Sequence, residues 1–292
     1  MSILFKTAME ITTEVLELRP YLFKIAYSML GEVEEAEDIV QDVYEKWIRT
    51  EHVRTPKAYM ARMTVNNCIK RLHELKLMRE TYTGTWLPEP YISFEATADM
   101  PTIEYGLLFL LEKLNPVERA VFILRESFSE EYSYIAELTG LSIDNCRQTL
   151  HRSYDKLGRS SQLPIDSAKH NDLLEAFVRS VVNQDRSSLE QLLRSDIELY
   201  SDGGGKRTTA IKPIVGFDRV QKFLFGVIQL VKDQGEEYEY MPVFVNGVPA
   251  LLILRRDNRE LDSIQYFEWD NNLISRMLLV RNPDKLKVRT GS

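Results

Sequence analysis

The sequence has only two cysteines, Cys68 and Cys146, far apart and in no metal-type spacing. That excludes a disulfide framework and argues against a cysteine zinc site. It has four histidines, and only His170 lies beyond residue 157, so a histidine general acid–base in the C-terminal part is not expected. No apolar run reaches transmembrane length, and the first ten residues hold no signal-type apolar core. The expectation is a soluble cytoplasmic protein with no membrane partner. Positive charge is also short: 37 Lys and Arg stand against 44 Asp and Glu, a net of −7 with a pI near 5.4. Taken alone, this argues against a nucleic-acid binder, because phosphate binding needs a positive surface. Apolar material is plentiful. A 44% hydrophobic and 10% aromatic content excludes disorder as the main state, and 292 residues suit two or three domains.

The net charge averages over segments of opposite sign. Residues 32–45 carry seven acids and no base, residues 54–79 carry a net of +6, and residues 80–104 carry five acids and no base. Such runs are either solvated helix faces or surfaces for two different partners. Apolar stripes at helical spacing run through residues 13–29 (Val15, Leu18, Leu22, Ile25, Met29) and 32–48 (Ala36, Ile39, Val40, Val43, Trp47). A third helix starts at Thr55-Pro56, with Met60, Met63, Cys68, Ile69 and Leu72 on its apolar side. These define an all-α domain at residues 10–80. Residues 81–104, with Trp86-Leu87-Pro88-Glu89-Pro90, lack helical period and read as a linker too apolar to float unpacked.

Residues 105–158 are helical again. Asn115-Pro116-Val117-Glu118 is a helix start with cap, first-turn proline and capping-box glutamate. The turn Thr139-Gly140-Leu141-Ser142 joins two short helices, either a helix-turn-helix or an ordinary helical hairpin. The second is expected to expose Asn145, Arg147, Gln148, Thr149, His151 and Arg152, types suited to base edges and phosphates. A short polar linker, residues 159–166, precedes an α+β domain at 167–292. Helices are expected at 168–183, 186–194 and 216–232, then strands at 239–245, 248–255, 263–269 and 273–281, with Asn246-Gly247 and Asp270-Asn271-Asn272 as hairpin turns.

Two patterns in this order carry a resemblance. Arg19 to Gly31, with Ala36 to Gln41 and Trp47, resembles domain two of extracytoplasmic-function (ECF) sigma factors. Leu114 to Arg119, Ile135 to Glu137 and Leu141 to Arg152 resemble domain four. The Trp86 to Pro90 motif, Asp202-Gly203-Gly204-Gly205-Lys206 and Asn282-Pro283-Asp284-Lys285-Leu286 are similar to the ECF group with a fused SnoaL-like C-terminal domain.

The resemblance implies two all-α sigma domains followed by a cone-shaped α+β sheet. The implied partners are core RNA polymerase, through its β′ clamp and β flap, and promoter DNA. It assigns Asp38, Gln41, Asp42 and Trp47 to polymerase, and Tyr59, Arg62, Asn66, Asn67, Lys70 and Arg71 to the −10 element. Tyr59 would stack on an unpaired base, its alternative being a packing aromatic. Arg147, Gln148, His151 and Arg152 fall to the −35 element. The motif residues Trp86, Leu87, Pro88, Asp202, Gly203, Gly204, Gly205, Lys206, Asn282, Pro283, Asp284, Lys285 and Leu286 become interdomain regulatory contacts.

The glycine run has the wrong spacing for a phosphate-cradling loop. SnoaL-like folds include cyclases and isomerases, so Asp202, Asp185, Tyr200 and Tyr266 are polar candidates for a C-terminal pocket that binds a small molecule. The favoured reading is a non-catalytic module. No cofactor, metal or catalytic residue is expected.

Overall fold

A computed structural model describes residues 13–93, 103–158 and 167–287. The expected linker at 159–166, residues 94–102 of the first linker, and both chain ends lie outside the described residues. The described chain forms two compact units: residues 13–80, 103 and 110–158 in one, and residues 81–93, 104–109 and 167–287 in the other.

The first unit is all helical. It contains α1 (Thr13–Leu16), α2 (Arg19–Leu30), α3 (Val33–Ile48) and α4 (Pro56–Arg79). After α5 (Tyr105–Leu110), whose first five residues belong to the second unit, come a 3-10 turn (Leu111–Lys113), α6 (Pro116–Glu126), α7 (Tyr132–Thr139) and α8 (Ile143–Leu157). The stripe expected over 13–29 is two helices, because α2 restarts at Arg19 with Pro20 in its first turn, where a missing N–H costs nothing.

Leu22, Ile25 and Met29 of α2 are buried, as are Ala36, Val40 and Val43 of α3 and Met60, Val65, Cys68 and Leu72 of α4. Helix α4 also packs on α6 and α7. At the N-terminus of α6, Asn115 and Glu118 close a reciprocal capping box, each bond 2.9 Å. Gly140 ends α7 at φ 75°, and the Ser142 hydroxyl accepts from the Asn145 N–H to start α8. The helix-turn-helix is therefore built by local capping.

The second unit is α+β. Around α9 (Ser167–Val182), α10 (Arg186–Glu190) and α11 (Phe217–Asp233) runs a seven-stranded sheet in the order β1-β4-β5-β6-β7-β2-β3. Its strands are β1 (Ile92–Ser93), β2 (Leu193–Asp202), β3 (Ile214–Val215), β4 (Tyr238–Val245), β5 (Val248–Arg255), β6 (Leu261–Asp270) and β7 (Leu273–Val280). Asn246 and Gly247 (φ 49° and 81°) and Asn271 and Asn272 (φ 51° and 64°) make the two tight turns.

The helix expected over 186–194 stops at Glu190, and Leu193–Asp202 is a strand with no counterpart in the sequence reading. It lies parallel to β7, Leu199 opposite Met277, a pairing across more than seventy residues that no local window reveals.

Alternation gives the sheet two apolar faces. On one, Ile197, Leu199, Phe267, Trp269 and Met277 are packed by Leu174 and Phe177 of α9 and by Val220, Leu224 and Ile228 of α11. On the other, Val243, Ala250, Leu252, Ile264, Tyr266 and Leu278 are packed by Leu87, Ile92 and Tyr105, with Phe109 and Leu286 partly buried beside them. Much of the second face's cover thus comes from residues 87–92 and 105–109 of this unit, far ahead of β2 to β7 in sequence.

Among the described residues, no helix is long and apolar enough to cross a membrane, and no His, Cys, Asp and Glu grouping has the geometry to hold a metal ion.

Candidate nucleic-acid interface and linker-binding site

Helix α3 buries Val33, Ala36, Ile39, Val40 and Val43, and this turns Glu34, Asp38, Gln41, Asp42 and Glu45 to solvent. Trp47, half-buried near its end, meets the Tyr59 ring with centroids 6.2 Å apart. On α4, Tyr59, Arg62, Asn66 and Lys70 are exposed. Their spacings of three, four and four place them on one helix face.

The other two −10 candidates differ. Asn67 is half-buried, and its side-chain nitrogen is buried with no hydrogen-bond partner. Arg71 donates from Nε and Nη2 to the two oxygens of Glu35, both at 2.6 Å, and from Nη1 to Glu74 at 2.8 Å. These hydrogen bonds hold its pKa above the usual arginine value. A bidentate fork of this kind fixes geometry, so Arg71 clamps the acidic helix to the basic one.

On α8, Asn145, Arg147, Gln148, His151 and Arg152 are exposed as expected, but Thr149 is buried, facing inward with Cys146, Leu150 and Ser153 on the apolar side of the helix. Arg147 pairs with Asp144 at 3.0 Å and lies over Tyr132, and His151 lies 3.2 Å from Asp155. Both contacts are solvent-exposed and worth little, which leaves the side chains available to a stronger partner. Lys156 ties α8 to α6 through both oxygens of Glu118, at 2.7 and 2.8 Å. Burial pushes the Cys146 thiol up, the environment of a packing cysteine, with no nearby cation acting to activate it.

Sequence reasoning missed the polar core of this unit. The Arg119 guanidinium is 0% exposed. It donates to Glu112 and to the Ser28 carbonyl, at 3.3 Å from Nε and 3.2 Å from Nη2. Glu112 also accepts from Arg79 at 2.8 Å, and Arg79 reaches Glu32 (2.8 Å) and the Leu30 carbonyl (3.1 Å). The network joins α2 and α4 to the 111–113 turn and α6. Its sequence signal was weak: Glu112 and Arg119 are two of four charges between residues 112 and 119, and nothing there separates them from Lys113 and Glu118.

In the second unit the motif residues converge. Asp202 is 0% exposed and all its acceptor positions are engaged. Oδ1 accepts from the Tyr82 hydroxyl (2.5 Å) and the Gly204 N–H (2.9 Å). Oδ2 accepts from the Leu87 N–H (3.0 Å) and Lys285 Nζ (2.7 Å). Lys285 Nζ also donates to the Leu87 carbonyl at 2.5 Å and sits 4.3 Å from the Trp86 ring centroid. Asn282 donates to the Tyr82 hydroxyl at 2.9 Å, and Lys206 pairs with Asp284 at 2.6 Å. Pro283 opens a 3-10 turn, and the Pro88 carbonyl accepts from Tyr105 at 2.7 Å.

The glycine run is sterically required. A Cβ at Gly204 (φ 63°) would lie 2.5 Å from the Asn282 side chain, and one at Gly203 would lie 2.2 Å from the Arg207 carbonyl. Tyr82 and Tyr105 were not among the expected site residues. For Tyr82 the available hint was an aromatic in a linker too apolar to float free; Tyr105, just past that linker, carried none.

The C-terminal pocket candidates do not form one cluster. Asp185 caps α10, accepting from the Ser188 N–H, and Asp202 is held as above. Tyr200 and Tyr266 share the second sheet face with Glu198, Glu268 and Arg276, three charged residues the sequence reading did not single out.

Two sigma-type helical regions, the second a helix-turn-helix, define a transcription initiation factor. Family models agree: Sigma-70 region 2 matches residues 15–76 and Sigma-70, region 4 matches residues 106–157. The chain is 30% identical over 223 residues to the ECF RNA polymerase sigma factor SigJ of Mycobacterium tuberculosis, covering 73% of this chain and 71% of that protein. It is 29% identical over 214 residues to the probable ECF RNA polymerase sigma factor SigI of the same species, covering 69% and 71%. The crystal structure of M. tuberculosis SigJ superposes with a TM-score of 0.74 at 25% identity, over 94% of this chain and 97% of that one. The chain belongs to the ECF RNA polymerase sigma factor family. It binds core RNA polymerase and directs promoter-dependent transcription initiation.

Proposed function

We propose that the acidic face of α3 (Asp38, Gln41, Asp42, with Trp47) docks on the β′ clamp. Tyr59, Arg62, Asn66 and Lys70 face the −10 element in the cytoplasm, where the polymerase works. Helix α8 enters the major groove at the −35 element near the β flap, with Arg147, Gln148, His151 and Arg152 reading or gripping it. The spacing of the four exposed α4 residues supports this. Asn67 and Arg71 act from within, Arg71 as the clamp between the two working helices.

In promoter binding by the holoenzyme, Arg62→Ala and Lys70→Ala are each expected to reduce the slope of log affinity against log salt by about 0.7–0.9. Arg71→Ala is expected to lower the unfolding temperature and leave that slope nearly unchanged. A full slope change from Arg71→Ala would return it to the DNA contacts.

The C-terminal unit regulates by holding the chain between the two sigma regions. One observation carries this reading: Leu87 is fully buried, its N–H and carbonyl bonded to Asp202 and Lys285. A segment so held is not a loose tether, so the second unit restrains the first part of the chain that follows region 2. Run-off transcription with core polymerase on a promoter library tests it. Removing residues 167–292 is expected to change promoter-dependent activity, and unchanged activity across several truncations overturns the regulatory role.

A further inference from the structure

On the second sheet face, β2, β6 and β7 bring together a charged group whose hydrogen bonding is incomplete. Arg276 donates from Nη1 to Glu268 Oε2 at 2.6 Å and from Nε to Glu198 Oε2 at 3.1 Å, and the Tyr200 hydroxyl donates to the same Glu198 oxygen at 3.2 Å. Glu268 is 5% exposed, and its second oxygen, Oε1, is buried with no hydrogen-bond partner. Native proteins rarely leave such an atom unsatisfied.

What lies over it is the chain's own segment 104–109. Tyr105 meets Tyr266 edge-on at 5.3 Å, and Phe109 meets Tyr200 at 4.9 Å. Gly106 comes so close that a Cβ there would lie 2.1 Å from Glu268 Oε1. The segment supplies two rings to the site and no donor to the free oxygen. It also brings a further carboxylate, since Glu104 acts on both Glu268 and Tyr266 to push them up. Burial is the main cause of the raised Glu268 pKa; Arg276 opposes it, and Glu104 and Glu198 add to it. The cover therefore matches the face in shape and opposes it in charge.

We propose that this face is a binding site for a small aromatic molecule that carries a hydrogen-bond donor and no negative charge, and that such a molecule competes with residues 104–109 for it. The ring takes the place of Tyr105 or Phe109 against Tyr266 or Tyr200. The donor satisfies Glu268 Oε1. Two carboxylates about one guanidinium select against an anion. The proposal concerns binding and stands whether or not the second unit regulates transcription.

The test uses the full chain with benzylamine and benzoate as probes, followed by ligand-observed NMR. Gly106→Val places a branched side chain against Glu268 and unseats the segment, and Phe109→Ala weakens the seat from a second position. Benzylamine is expected to bind both variants more tightly than the wild-type chain. In the Gly106→Val background, Glu268→Gln is expected to weaken it about tenfold, the loss of one charge-assisted bond. Saturating benzylamine is expected to speed amide exchange in 104–109 of the wild-type chain. Three results would overturn the proposal: benzoate binding as well as benzylamine, indifference to Glu268→Gln, or no binding to variants that keep the wild-type thermal transition.

Discussion

Replacing Lys285 with methionine is expected to destabilise the second unit by about 3–5 kcal/mol, the usual cost of removing one partner from a buried ion pair. The reason lies in Asp202, which is fully buried. Without the ammonium at 2.7 Å, its charge keeps only dipolar partners: the Tyr82 hydroxyl and the N–H groups of Leu87 and Gly204. The same substitution strips the Leu87 carbonyl of a donor and the Trp86 ring of its cation. The linker should therefore loosen along with the sheet.

Two measurements check this. The first is the denaturant midpoint of the second unit's transition; the second is hydrogen exchange at the Leu87 amide, whose acceptor is Asp202. Pairing Lys285→Met with Asp202→Asn should recover part of the loss, because the uncompensated charge is gone. A cost for Lys285→Met below about 1 kcal/mol, the range of exposed pairs, would mean that the clasp is wet and does not hold the linker.

That clasp shows how far the sequence could be read. The motif residues Trp86, Leu87, Asp202, the three glycines, Asn282 and Lys285 were legible as a set only through the resemblance to the ECF group with a fused C-terminal domain, and not from residue type alone. Their partners were not. The bond from Tyr82 to Asp202 spans 120 residues and that from Lys285 to Leu87 spans 198. Periodicity carries no information at that range.

The helices of the first unit were legible because stripes, caps and proline positions act within a few residues. Strand β2 was missed for the opposite reason: its partner β7 is distant, and the alternation of Ile197 and Leu199 with Glu198 and Tyr200 is short. Charge was readable by segment but not by residue. Nothing in the spacing separates Lys70, which faces solvent, from Arg71, which grips Glu35. The polar core at Arg119 and the Glu268–Arg276 group were invisible for the same reason, since buried charges look like surface charges until their partners are placed.

The second large effect is expected at Glu112, and it separates two ways of breaking one network. Glu112→Gln keeps the shape but removes the one counterion that Arg119, a guanidinium with no exposure, has among the described residues. The Ser28 carbonyl alone cannot offset that charge, so a loss of about 3–5 kcal/mol in the first unit is expected. Arg119→Met should cost clearly less. Glu112 then still faces Arg79 at 2.8 Å, and the vacated space takes an apolar chain of similar length.

Acid supplies an independent check. Burial pulls the Glu112 pKa up, but the charges of Arg119 and Arg79 outweigh it and hold the carboxyl below its ordinary value. A depressed folded-state pKa contributes stability that is complete above the unfolded value of about 4.3 and is lost as pH falls through the folded value. The stability gap between the wild-type chain and Glu112→Gln, followed by urea unfolding, should therefore be widest near neutrality. It should narrow as pH drops below the ordinary glutamate range. A gap that stays constant into acid would show that the cost is one of packing, and that the charge on Glu112 does not hold α2, α4 and α6 together.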